Sequence, residues 1–374
     1  MKDLPSSLFR ERIDPQSGVR SFYLNEILAP VQQHFYFVNA SVDAAEENLW
    51  FTCAWPPSKP KTLARVSLDP AKTEFQHYPQ AAPDTAQPLL SPEGGLWFGS
   101  GHALFHLEPS GETREIFRLP ESFVSGRRVD ALATHLSLSA DGRFLLLDGS
   151  VGNESFVGTV ELASGEFDHL CTFPQRHDHA QFSPTHPTRF VLARDQQTDP
   201  VSGRFLHHRQ RSWLMDLEDP GLYQCLNPKH RCSPFFGACH EWWAPDGVFC
   251  YIDYEQGGFE LDLEVGGEPV QVWSEPLCHA HCSRERRYWC ADESPYYWHE
   301  RPCKVLFYDR ETQKRVEIES AMDRPLPGVT GVRGLYHIDP HPQFSPQDSW
   351  IVYTATPEGR PTVALSSVEE LNAL

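Results

Sequence analysis

Positive charge is in short supply in this chain. There are 32 Lys and Arg against 51 Asp and Glu, a formal net charge of -19 over 374 residues. Such a field repels polyanions, which argues against general binding to nucleic acid or to an anionic membrane surface. An anionic small ligand would need a local positive centre, from a metal or from arginines. Long apolar runs are missing too: none reaches the roughly 18 residues that a membrane helix requires. The stretch Met1-Lys2-Asp3-Leu4-Pro5 lacks the apolar core of a secretory signal. Among the ten cysteines (Cys53, Cys171, Cys225, Cys232, Cys239, Cys250, Cys278, Cys282, Cys290 and Cys303) no pair has the two-residue spacing of a zinc knuckle. These absences lead to the expectation of a cytoplasmic protein with reduced, mostly buried thiols, a disulfide framework being the alternative.

Long helical periodicity is also scarce, and what replaces it is informative. Hydrophobic residues make up 40% and charged residues 22%, an ordinary balance for a folded chain. Short apolar or alternating runs recur between Gly, Pro, Asp and Asn, the pattern of an all-β protein. The recurring unit is a strand, a turn such as Ser-Pro-x-x or x-Asp-Gly, and a second strand rich in aromatic and branched residues. Marking each turn by its Ser or Ala gives seven copies, at Ser41, Ser91, Ser139, Ser183, Ala244, Ser283 and Ser345. Their mean spacing of about 51 residues is that of a propeller repeat. The expectation is therefore a seven-bladed β-propeller forming a single domain over residues 1–374, because each blade buries its faces against its neighbours. The region around Leu24 is expected to close the last blade with Thr362-Val363-Ala364-Leu365. A pair of β-sandwiches, or an irregular all-β fold, is the competing arrangement. The steps from Ser183 to Ala244 and from Ser283 to Ser345 are the longest, which implies insertions there.

Two short segments concentrate metal-binding side chains: Cys278-His279-Ala280-His281 and His337-Ile338-Asp339-Pro340-His341. In an extended strand residues two apart share a face, so His337, Asp339 and His341 would project together, as would His279 and His281. That favours a divalent metal site, against the plainer reading of hydrogen-bonded loop histidines in a chain with 18 of them. Repeat phase adds that His240, His279 and His341 begin three successive copies, with His179 in similar phase. Equivalent points of propeller blades approach the axis, so these residues could share a pocket.

At these positions the chain resembles the oligogalacturonate lyases, the seven-bladed polysaccharide lyases of family twenty-two, as a divergent member. The matching stretches are His240-Glu241-Trp242-Trp243-Ala244-Pro245-Asp246-Gly247, the Cys-x-His type segment at His279, Asp339-Pro340-His341-Pro342-Gln343-Phe344-Ser345-Pro346, and Arg211-Ser212-Trp213-Leu214. The resemblance implies a divalent metal, manganese first with calcium or magnesium as alternatives, held by His279 and His341. It implies His240 as the base and Arg211 as the group that steadies substrate. Asp339 stands where the family has a second C-terminal histidine, and Tyr336 where it has a glutamine. Asp339 remains able to ligate a hard cation, and His337 could supply the missing donor. His179, Asp195 and Tyr336 are further candidates for the substrate pocket. The numerous aromatics, among them Trp242, Trp243, Tyr296 and Tyr297, could stack on sugar rings or fill blade cores.

The implied reaction is β-elimination on short uronate oligosaccharides, as in pectin degradation. A histidine removes the C5 proton, made acidic by the adjacent carboxylate, and the C4 oxygen leaves. Two alternatives stay open at this stage. One is a metal-dependent propeller enzyme that hydrolyses or isomerises another acidic sugar, and the other is a propeller that binds a sugar or protein partner without catalysis. Oligomeric state is not legible.

Overall fold

A computed structural model of the chain describes residues 3–25, 28–58, 60–199, 201–206, 210–219, 221–227, 238–293, 302–326 and 338–374. His337, Tyr336, Tyr296 and Tyr297 therefore lie outside the described residues. The fold is a seven-bladed β-propeller, an all-β architecture with 49% of residues in strands and 4% in helix. Its residues divide into two compact units, Met1–Ala82 with Leu277–Leu374, and Pro83–Pro276.

The first unit holds three blades. One runs Val31–Gln33, Asn48–Ala54, Lys61–Ser67 and Phe75–Tyr78, and another Ala280–Cys282, Tyr288–Glu293, Cys303–Asp309 and Lys314–Met322. The third joins the two chain ends. Gln343–Phe344, Trp350–Ala355 and Thr362–Ser367 are completed by Arg20–Leu24 and then Phe9–Ile13, with Phe22 opposite Leu365 and Tyr23 opposite Ala364. The second unit holds four blades, built on Ala86–Arg118, 129–173, 177–225 and Ala238–Trp273. The long step after Ser183 contains a small hairpin, Gln197–Thr198 with Phe205–Leu206, outside the blade's own sheet.

Six of the seven turns that mark the repeats share one hydrogen-bond device, the exception being Ser41, whose amide donates to Gln343 Oε1. The amide of the marker donates to the carbonyl that opens the second strand: Ser91 to Gly95, Ser139 to Phe144, Ser183 to Arg189, Ala244 to Val248, Ser283 to Tyr288 and Ser345 to Trp350. Serine is favoured because its Oγ also accepts an amide, from Phe144 at Ser139, Tyr288 at Ser283 and Trp350 at Ser345. In the Pro-Asp-Gly copy, Gly247 takes φ +87, the left-handed backbone that glycine enters without steric cost.

Second strands such as Trp350–Ala355 are buried along their whole length, so they read as continuous apolar runs rather than alternating ones. In the first unit Phe22, Leu49, Phe51, Trp350, Val352 and Leu365 form one core between blades. In the second, Phe117, Leu145, Leu147, Phe156 and Val160 form another. Among the described residues no helix is long and apolar enough to cross a membrane.

Candidate metal centre

His279 immediately precedes the strand Ala280–Cys282 and is buried. Its Nδ1 lies 3.0 and 3.1 Å from the two carboxylate oxygens of Asp292, and its amide donates to Asp292 Oδ1 at 3.1 Å. Asp292 sits on the strand Tyr288–Glu293 with no exposed surface. The other oxygen, Oδ2, accepts the amide of His341 at 2.9 Å. His341 has φ 47, a left-handed backbone that turns its ring towards His279. The two ring centroids are 4.1 Å apart at 73°.

His279, Asp339 and His341 are all buried, and each offers a ligand atom within 4.8 Å of the others. Two imidazoles and a carboxylate suit manganese and its neighbours, and the carboxylate biases the set towards harder cations. The outer partners fit as well, because a ligating histidine commonly gives its second nitrogen to a carboxylate, as His279 does to Asp292. These residues therefore fit a divalent ion.

The route to this convergence differs from the strand alternation anticipated above. Residues 338–342 form no strand, and only Gln343–Phe344 pairs into the sheet. Asp339 and His341 meet through a loop bent by the positive φ of His341, not through a shared strand face. His279 and His281 also part company: His281 Nδ1 accepts the amide of Phe344 at 3.1 Å, and burial pushes the ring's pKa down to about 4. His281 serves the packing of the blade.

Around the pair the wall is aromatic. Tyr36 lies edge-on to His341 at 4.9 Å, and Phe37 is 5.7 Å from His279 and stacked on His341 at 6.4 Å. His34 holds the loop from behind, with Nε2 2.7 Å from the carbonyl of His341 and Nδ1 2.9 Å from Thr354 Oγ1. A carbonyl only accepts, so Nε2 carries the proton and Nδ1 takes the threonine hydroxyl. Burial pushes the pKa of His34 down to about 4, which keeps it neutral in this role. Asp339 and Pro340 also border a cavity of about 240 Å³ lined by Cys303, Met322, Arg324, Thr354 and Thr356.

The second unit carries the remaining candidates. Arg211 is only 5% exposed and is clamped between two carboxylates, Nε to Glu241 Oε2 at 3.0 Å and Nη1 to Asp195 Oδ1 at 2.7 Å. Arg176 lies 2.6 Å from Asp178 and 3.6 Å from Asp195. Burial raises Asp195, but Arg211 and Arg176 outweigh it and hold the carboxyl at about 2. Asp178 goes the other way, to about 6, through burial and the neighbouring Asp195. His240 has φ 47 and lies against Tyr254, whose hydroxyl is 3.4 Å from Nε2. His179, at φ 54, faces His135 with ring centroids 5.6 Å apart, and burial with the nearby Arg211 brings it to about 4.

His135 was not among the sequence candidates, yet its signal was present. It stands four residues before Ser139, the offset at which His179, His240, His279 and His341 precede their own markers. The two copies without histidine carry Phe37 and Gln87 at that offset. The unwinding at these points is local: register slips between Asp178 and Gln181 and between Cys239 and Trp242, a bulge that re-aims the histidine.

Asp148, beside this pair of blades, accepts the amides of Thr134 at 2.7 Å and Ala180 at 3.0 Å. Burial nonetheless pushes its pKa up from 3.8 to about 7. The folded chain thus holds a proton that the unfolded chain releases between those values. The stabilisation is complete below pH 3.8 and is lost as pH rises through about 7. Its slope approaches about 1.4 kcal/mol per pH unit inside that window. Asp148→Asn is expected to remove this part of the slope in urea unfolding between pH 4.5 and 7. An unchanged slope would contradict the assignment.

No family profile and no curated protein sequence matches the chain. Solved structures do. An oligogalacturonate lyase determined in complex with manganese aligns over 96% of both chains with TM-score 0.75 at 18% identity. An oligogalacturonate lyase from Vibrio parahaemolyticus aligns over 96% of both chains with TM-score 0.76 at 14% identity. The chain has the oligogalacturonate lyase fold. At this identity the likeness is one of architecture, and a fold hosts many activities, so the chemistry has to be argued from the residues.

Proposed function

We propose that the chain is a metal-dependent lyase of short uronate oligosaccharides, a divergent member of the oligogalacturonate lyase family that cleaves by β-elimination. The observation that supports this most is the buried group His279, Asp339 and His341. It lies where the resemblance puts metal ligands, in a chain with the fold of a lyase solved with manganese. When bound, the divalent cation supplies Lewis-acid stabilisation of the uronate carboxylate and of the enolate-like charge that develops beside it.

The chain's own residues take the other roles. His240 removes the C5 proton, the C5–H electrons form the C4–C5 double bond, and the C4–O bond breaks with its electron pair on the departing sugar oxygen, which takes up a proton. Arg211, its guanidinium plane fixed by Glu241 and Asp195, steadies the carboxylate of the substrate. His179 and Asp195 border the same charged network and tune its field rather than contact sugar. The cavity beside Asp339, with Arg324, Thr354 and Thr356 among apolar side chains, offers an acidic sugar both polar contacts and a surface for its C–H face. Manganese is the preferred metal. Among the described residues no disulfide joins any of the nine cysteines, which agrees with a reducing, cytoplasmic setting.

Asp339 favours a second reading. A carboxylate in place of an imidazole lowers the positive charge available to a uronate, which suits hydrolysis or isomerisation of a different acidic sugar. Product mass separates the two readings. Incubation with di- and trigalacturonate and manganese is expected to give products whose masses sum to that of the substrate, with ultraviolet absorbance from the new double bond. Products heavier by one water would overturn elimination. Chelator-insensitive, inactive protein across a uronide panel would leave only a binding propeller.

A further inference from the structure

We infer that Asp292 is a positioning residue for the metal centre, one carboxylate that sets the tautomer of His279 and the backbone of His341. The inference rests on the metal reading proposed above. Asp292 meets three N–H groups of two ligand residues: the His279 amide at 3.1 Å, His279 Nδ1 at 3.0 and 3.1 Å, and the His341 amide at 2.9 Å. A carboxylate accepts and does not donate, so Nδ1 carries the ring proton and Nε2 presents the lone pair that a metal takes. The same oxygen that meets Nδ1 at 3.0 Å receives the amide of His341, a residue held at φ 47. Because left-handed backbone in a residue other than glycine persists only where its surroundings enforce it, this hydrogen bond helps hold the His341 ring in place.

The second unit contains a natural control. Asp148 spans successive repeats in a similar way, accepting the amides of Thr134 and Ala180, but among the described residues it bonds no imidazole. A role confined to stapling the backbone would be shared by both aspartates. A role in metal binding belongs to Asp292 alone.

Asp292→Asn keeps the shape and removes the acceptor pair. The amide end of Asn would oppose a backbone N–H, that of His279 or that of His341, and because Nδ1 no longer faces two acceptors, the His279 tautomer protonated at Nε2, the ligating nitrogen, becomes accessible. Manganese affinity is then expected to fall about 10–100-fold, the usual cost of losing an outer partner of a metal ligand. The test is a titration of manganese, read by electron paramagnetic resonance, against the unaltered chain, D292N, D148N and H279A. The expected order is full binding for the unaltered chain and D148N, weakened binding for D292N, and none for H279A. Unweakened binding by D292N alongside loss in H279A would overturn this proposal alone. No binding by the unaltered chain would overturn the metal reading and this proposal with it. A second readout needs no variant: in the metal-free unaltered chain, long-range ¹⁵N correlation of the His279 ring should show the Nδ1–H tautomer, and an Nε2–H ring would overturn the proposal.

Discussion

His240→Asn abolishes nearly all elimination, with kcat down about 10²–10⁴-fold, the contribution of a positioned general base. The manganese affinity of the same variant stays that of the unaltered chain, because His240 is no part of the proposed ligand set. Asparagine is the informative replacement. His240 has φ 47, and asparagine tolerates the left-handed region better than alanine does. His240→Ala loses the base and adds a backbone cost of about 1 kcal/mol, so the two variants should match in activity and differ in thermal stability. Tyr254 approaches Nε2 at 3.4 Å with its ring edge-on to the imidazole, so Tyr254→Phe provides a milder companion that keeps the base. Full turnover by His240→Asn would remove His240 from the chemistry.

His279→Ala is expected to lose manganese affinity by at least about 100-fold, the upper end of what even an outer partner costs. Thermal unfolding gives the cleanest reading. An ion that binds only the folded state at 100 times its dissociation constant stabilises it by about 2.7 kcal/mol, and this increment should vanish in the variant. His281→Ala is the matching control two residues away. Its ring accepts the Phe344 amide and does not join the ligand group, so the variant should be less stable in the absence of metal and still gain the full manganese increment. Equal increments in His279→Ala and the unaltered chain would place the ion elsewhere.

Most of the architecture was legible because the propeller turn writes itself into the chain every blade. In six of the seven copies the Ser or Ala marker closes the turn with its amide, the next strand is a buried apolar run, and both leave local patterns that survive without an alignment. Blade-start histidines were legible for the same reason, being fixed in phase with that turn. His135 shows that the phase held more than was read from it.

What escaped was the support. Asp292 and His34 lie in different blades from some of the groups they hold, and each looks like an isolated polar residue in its own segment. Only strand register brings Asp292 between His279 and His341, and only the chain-end blade brings Thr354 and the His341 carbonyl to His34. The alternation argument for Asp339 and His341 failed for a physical reason as well. It assumed extended backbone, and one residue at φ 47 is enough to cancel the period-two rule. Arg211 was legible as a functional candidate, but its clamp by Glu241 and Asp195 was not, since those partners come from separate strands and turns.

Anomalous diffraction at the manganese edge, from crystals of the unaltered chain grown with the metal, tests the central claim most directly. The account predicts one strong peak at coordination distance from His279, Asp339 and His341 together, with Asp292 still on His279 Nδ1. A peak on other residues, or none at saturating manganese, would contradict it.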